Sequence, residues 1–252
     1  MNFTTAPLRG RLGNLLFQIG ATCTYAKLTN KKGIFTHSDT SLQYKENILR
    51  NVEFVQNHNV RFLKLKLPFQ YEPIPLVENE NVYLGGSYFQ SEKYLDKKLM
   101  IEMFKMKPEE KEYILSKYPD ISERVSIHVR RGDYLQVQYA HPIIPVETFY
   151  NKALELFPGK KIMIFSDDIP WCKENFKTED TIFVSEPSDY IEIYMMSLCS
   201  DNIIANSSFS WWGAYLNENP QRKVIVPEPW FTNDAYNARD IVPDSWTKIK
   251  YI

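Results

Sequence analysis

Short apolar runs and amphipathic stretches alternate along the second half of the chain. Val125, Ile127 and Val129 alternate with Ser126, His128 and Arg130, the period-two pattern of a strand with one apolar face. The same reading predicts strands over 161–165, 181–184, 202–205 and 223–226, the last of them ending at Pro227. Helices are expected over 146–157, near 171–175, over 190–199 and over 211–217. Strands separated by helices of this length imply a parallel, doubly wound α/β sheet.

The first half is less regular. Leu15, Ile19, Thr22, Cys23 and Ala26 share one face of a helix that closes near Asn30-Lys31-Lys32-Gly33. Strands are expected over 33–36 and 82–86, with weaker candidates at 52–55 and 60–65. Pro68, Pro73 and Pro75 punctuate a loop, and Ser91 is placed to cap a short helix. Residues 107–124 are charged and hold one amphipathic helix between Pro108 and Pro119; they read as a linker between halves, 1–115 and 116–252.

A chain of 252 residues has room for two modest α/β domains. With 44% hydrophobic and 24% charged residues it has the composition of a soluble globular protein. A formal net charge of −1 gives no whole-surface attraction for nucleic acid, so any anion site must be local. No apolar run is long enough to span a bilayer and Met1–Thr5 carries no signal pattern, so a soluble, cytoplasmic protein is expected. Cys23, Cys172 and Cys199 are far apart and read as reduced, mostly buried thiols. The sequons at Asn2 and Asn206 carry little weight without a secretion signal.

The chemistry gathers at three strand ends: His128/Arg130/Arg131/Asp133, Ser166/Asp167/Asp168, and Asn206/Ser207/Ser208/Ser210. In a parallel sheet these ends lie on one edge, where ligands bind. Arginine forks match phosphate oxygens, and a serine-rich helix start offers free N–H groups to the same anion. The plainer alternatives are a basic turn capped by Asp133 and an ordinary serine N-cap. Asp167-Asp168 also invites a divalent metal, but two arginines could neutralise a diphosphate without one; helix capping or a ribose or base contact is preferred. Trp211-Trp212 could stack on a ligand, and at least one is expected in the core. The turn Gly10-x-x-Gly13-Asn14 opens a helix but is neither GxGxxG nor a P-loop, which disfavours an NAD or ATP reading.

Five segments occur in register: Gly10-x-x-Gly13-Asn14-x-x-Phe17-Gln18, Tyr88-Phe89-Gln90-Ser91-Glu92-Lys93-Tyr94, His128-Val129-Arg130-Arg131-Gly132-Asp133-Tyr134, Phe165-Ser166-Asp167-Asp168, and Ala205-Asn206-Ser207-Ser208-Phe209-Ser210-Trp211-Trp212-Gly213-Ala214-Tyr215-Leu216. Together they resemble the galactoside α-1,2-fucosyltransferase family, related to α-1,6- and protein O-fucosyltransferases, over nearly the whole chain. The resemblance implies a GT-B-like architecture: two Rossmann-like domains with a cleft between them, the N-terminal one on the acceptor side and the C-terminal one binding the GDP-sugar. It further implies an inverting transfer of L-fucose from GDP-β-L-fucose, with no metal or other cofactor, to a galactoside glycan acceptor.

Carried over by position, Arg130 would contact the β-phosphate and stabilise the leaving group, with Arg131 beside it. His128 would orient the site or contact the nucleotide. Ser207, Ser208 and their neighbours Asn206 and Ser210 would bind phosphate or ribose. Glu192 would read the guanine N1–H and amino edge. Gly13 and Asn14 would close the cleft from the N-terminal domain, near the diphosphate or the acceptor. Arg11 departs from the family's usual small residue. Asp133 is the candidate general base, and its alternative role is to fix the arginine rotamers. Rival readings are a transferase using another GDP-sugar such as GDP-rhamnose, a non-catalytic nucleotide-sugar-binding module, and a metal-dependent transferase built on Asp167-Asp168. Acceptor contacts are expected in 38–75 and 134–145, which match no motif.

Overall fold

The computed structural model describes residues 2–57, 60–176, 180–233 and 238–252. These fall into two compact units, 1–106 with 239–243, and 107–238 with 244–252.

The first unit runs β1 (Phe3–Thr5), α1 (Leu12–Leu28), β2 (Lys32–Gly33), α2 (Asp39–Leu42), β3 (Leu63–Lys66), β4 (Val82–Gly85) and α3 (Lys97–Met103). Its four strands are parallel in the order β2-β1-β4-β3. Helix α1 is buried on most of its circumference rather than on one face, with Leu15, Leu16, Ile19 and Ala21 all within 1% of full burial. At Gly20 a Cβ would stand 2.6 Å from Met100 Sδ and 2.9 Å from Leu95 Cδ2, so the missing side chain lets α3 approach. Ala21, Tyr25, Val82, Leu84, Phe89 and Tyr94 make the core between helix and sheet. The predicted strand at 52–55 contracts to a single bridge, Phe35 to Phe54. Ser91 does cap a short turn, Glu92–Tyr94, accepting from the Lys93 N–H.

The second unit runs α4 (Pro108–Lys117), β5 (Val125–Val129), a 3₁₀ turn (Gly132–Gln136), a wide π turn (Val146–Tyr150) leading into α5 (Asn151–Leu154), β6 (Ile162–Ser166), α6 (Ile169–Asn175), β7 (Ile182–Phe183), α7 (Asp189–Leu198), β8 (Asp201–Ile203), α8 (Ser208–Leu216), β9 (Val224–Glu228) and β10 (Thr247–Lys250). All six strands are parallel, in the order β10-β9-β8-β5-β6-β7.

Strand β5 departs from its one-faced reading, since all five residues are buried. Helices cover both faces of a parallel sheet, so the polar positions of a central strand must find partners inside. Ser126 accepts from Asn202 Nδ2 at 2.7 Å and donates to the Asp201 carbonyl at 3.3 Å. Strand β10 lies beyond the expected last strand; its Thr247, Lys248 and Lys250 are exposed on the sheet edge, where no apolar alternation is required.

The expected boundary at 115/116 falls inside α4. That helix, read as linker, packs in the second unit through fully buried Ile114, and Tyr113, Lys117 and Tyr118 converge on Glu186. One buried apolar position on a charged helix is too sparse a stripe to register as core. Among the described residues no helix is long and apolar enough to cross a membrane.

Candidate active site

Strands β8, β5 and β6 are neighbours at the centre of the second sheet, so the three polar strand ends share one edge. Arg130 is the hub. Its Nη1 is paired with Asp167 Oδ2 at 2.8 Å, its Nη2 donates to Asp133 Oδ1 at 2.5 Å, and its guanidinium lies 5.2 Å from the centre of the Tyr134 ring. Only 14% of the side chain is exposed. Arg131 is held as firmly: its N–H donates to Asp167 Oδ1 at 2.9 Å and its Nε to Asp168 Oδ2 at 3.0 Å, while the guanidinium stacks 3.8 Å over Trp171. Asp167 therefore fixes one arginine's side chain and the next one's backbone. A Cβ at Gly132 would lie 2.3 Å from Asp167 Oδ2, so glycine is what lets that carboxylate occupy its place.

Asp168 does cap the next helix, accepting from the Trp171 N–H at 3.2 Å. Both carboxylates of the pair thus serve the arginines. Among the described residues no group of three His, Cys, Asp or Glu side chains is arranged to hold a metal ion.

At the β8 end, Ser207 is the N-cap of α8, accepting from the Phe209 N–H at 3.3 Å. Ser208 is half-buried beside it. Two of the residues expected to touch a donor are engaged with the scaffold. Ser210 is fully buried and donates to the Ser207 carbonyl, and Asn206, 1% exposed, donates from Nδ2 to the carbonyls of Pro142 and Trp230 at 3.1 Å each. Asn206 thus satisfies two loop carbonyls and Ser210 the N-cap carbonyl, and the free N–H groups at the helix start are left to other partners. Trp211 and Trp212 are both fully buried, so both belong to the core.

His128 is buried on β5, its ring 5.5 Å from that of Phe209 and its carbonyl accepting from the Tyr150 hydroxyl at 3.0 Å. Burial, reinforced by Arg130, depresses its pKa to about 3. Burial thus favours the neutral ring. Its Nδ1 is buried with no hydrogen-bond partner among the described residues. Glu192, in the first turn of α7, has its pKa pushed up to about 8 by burial, with Asp189 and Glu186 adding to the effect and a hydrogen bond from the Glu186 backbone opposing it.

Gly13 and Asn14 lie in the first unit at the start of α1. There the backbone turns at Gly10 in the left-handed region, φ 85°, and a Cβ would meet Asn14 Nδ2 at 2.6 Å. Gln90 Nε2 donates to Asn14 Oδ1 at 2.7 Å, and Gln18 bridges the Arg9 backbone and the Asn14 carbonyl.

Tyr134 and His141 were not singled out as individual side chains. They stack with ring centres 4.5 Å apart in a loop without periodicity. The available signal was an aromatic residue four positions after Arg130.

Residues 81–250 match the family model described as Glycosyl transferase family 11. The chain is 31% identical over 193 residues to the O-antigen biosynthesis glycosyltransferase WbnK of Escherichia coli, covering 68% of this chain and 62% of that protein. It is 37% identical over 137 residues to an α-1,2-colitosyltransferase of Escherichia coli, covering 50% of this chain and 47% of the relative. The matches thus span under two thirds of both relatives' lengths. Among solved structures, the NodZ α-1,6-fucosyltransferase soaked with GDP-fucose superposes with a TM-score of 0.55 at 16% identity, covering 85% of this chain and 92% of that one. At that identity the likeness establishes the GT-B-like fold.

Proposed function

The chain belongs to glycosyl transferase family 11, and from that premise we propose that it moves L-fucose from GDP-β-L-fucose to O2 of a terminal galactose, with inversion and without a metal. The observation that carries this reading is Arg130, whose guanidinium is held by carboxylates from two strand ends on the same sheet edge as the capped start of α8. Such an arrangement suits a group that accumulates negative charge as it leaves, because the donors are oriented before the charge develops.

In this mechanism the bond from the sugar's C1 to the β-phosphate oxygen breaks as the acceptor hydroxyl attacks the opposite face, the new C1–O bond forms and the hydroxyl's proton passes to bulk water. The electron pair leaves with GDP and meets Arg130, Arg131 and the free N–H groups of α8 near Ser207 and Ser208. Those cations take the part a metal would otherwise play. His128, buried on β5 against Phe209, orients the site. Glu192 reads the guanine edge. Of Asp133's two roles, its 2.5 Å bond to Arg130 favours fixing the guanidinium.

A second donor has specific support, because one relative is an α-1,2-colitosyltransferase and colitose is the 3-deoxy counterpart of L-fucose. A panel of GDP-sugars against β-galactosides, scored for product and linkage with and without EDTA, tests the reading. Transfer from GDP-fucose with an α-1,2 linkage and EDTA resistance is expected. Transfer from no GDP-sugar overturns it, and loss of activity in EDTA overturns metal independence.

A further inference from the structure

We propose that Tyr134 is the positioning residue that aims Arg130 and ties it to the α8 start, a role that rests on the functional reading above. Arg130 has charged partners on two sides, yet a guanidinium paired only through ion pairs can pivot about them. The Tyr134 ring supplies a face 5.2 Å from the guanidinium carbon, which restrains the plane of the fork. The ring itself is pinned. Its hydroxyl donates to the Asn206 carbonyl at 3.2 Å, and it stacks on His141, which meets Phe231 edge-on at 5.4 Å.

The loop behind this stack is tied down as well. Thr232 donates from its N–H to the Ala140 carbonyl at 3.1 Å and from its hydroxyl to the Gln138 carbonyl at 2.8 Å. Asn206 holds the Pro142 carbonyl from the other end. The residue whose side chain ties this loop down therefore also receives the Tyr134 hydroxyl, immediately before the N-cap Ser207. Tyr134 connects the end of β5 to the end of β8, and so connects the arginine to the residue that precedes the α8 N-cap.

The consequence is specific to turnover. Asp133 and Asp167 keep Arg130 in the neighbourhood whatever stands at 134, so donor binding changes little. What is lost is the orientation that matters when charge builds on the leaving group, and this appears in kcat. His141 acts here as an aromatic surface, and burial lowers its pKa against the opposing pull of Asp133.

The test is a substitution series assayed by GDP release from the donor that the wild type uses. Tyr134→Phe keeps the face and loses the hydroxyl, so kcat should stay within about threefold of wild type, the scale of one neutral hydrogen bond. Tyr134→Leu should lower kcat by about tenfold or more, on the scale of a half-desolvated cation–π contact, with KM for the donor little changed. Phenylalanine analogues at 134 with increasing ring fluorination weaken the face without altering shape or folding, and should lower kcat stepwise. A flat fluorination series, a Leu variant with normal kcat, or a Phe variant as slow as Leu overturns the proposal alone. A wild type that releases GDP from no GDP-sugar overturns the functional reading beneath it.

Discussion

The two units hold their strand-to-helix turns by opposite chemistry. In the first, the turn from β1 into α1 is locked by neutral amides. Gln18 bonds both backbone groups of Arg9 and the Asn14 carbonyl, and Gln90 takes the Asn14 side chain. In the second, the turn after β5 is locked by charge, with Asp133, Asp167 and Asp168 distributed over Arg130 and Arg131. Amide bonds define a backbone shape and are indifferent to what approaches. Ion pairs leave the guanidiniums charged, oriented and able to redirect donors toward an incoming anion, at the expense of desolvation that only intact pairing offsets. The contrast assigns shape to the first turn and electrostatic work to the second.

The ionic turn breaks hardest when its shared carboxylate is removed. Asp167→Ala frees both Arg130 Nη1 and the Arg131 N–H, and should lower turnover by about a hundredfold, a shortfall of oriented donors of the kind seen when a charge-stabilising contact is lost. Steady-state rates of GDP release check it, and wild-type rates would show that the arginines need no such anchor. Asp133→Asn separates its two candidate roles. Asparagine still accepts from Arg130, so a fall of only about tenfold is expected, within the range of a weakened charge-assisted bond. A loss of about a thousandfold would identify Asp133 as the base instead.

The neutral turn should respond in stability. Gln18 is fully buried, and Gln18→Ala strands Arg9 and Asn14 backbone groups, a destabilisation of about 1–3 kcal/mol measured by chemical denaturation. The smallest effect is a pH dependence. Because burial raises the Glu192 pKa to about 8, the folded chain holds that proton more tightly than the unfolded chain does. Its stability is therefore whole below the ordinary carboxyl range and declines as the pH climbs through about 8. Glu192→Gln should flatten that decline. If the carboxylate reads guanine, GDP binding expels the proton, so wild-type GDP affinity should rise toward pH about 8 and stay level in the Gln variant, as titration calorimetry would report.

The same contrast explains what the sequence disclosed. Strand β5 and the three polar strand ends were legible, the latter because parallel topology sends the strands' C-termini to one edge. Which carboxylate meets which arginine was not, since Asp167 reaches Arg130 across neighbouring strands and no local pattern encodes that. Serine identity likewise failed to separate Ser207, at the helix start, from Ser210, one turn inside and fully buried. The loop after Arg130 stayed opaque because aromatic stacking and backbone hydrogen bonds hold it, neither of which has a period. Strand β1 was missed since its Thr4 and Thr5 are polar yet buried, and β10 since it is an exposed edge.

The most direct measurement is the rate of GDP release by Arg130→Lys, set beside its affinity for GDP. Lysine keeps the charge and loses the planar fork that Asp133, Asp167 and Tyr134 align. The account predicts that turnover drops by about a hundredfold or more while GDP still binds within about tenfold of wild type. Turnover near the wild-type rate would contradict it, because the aligned fork would then do no work on the leaving group.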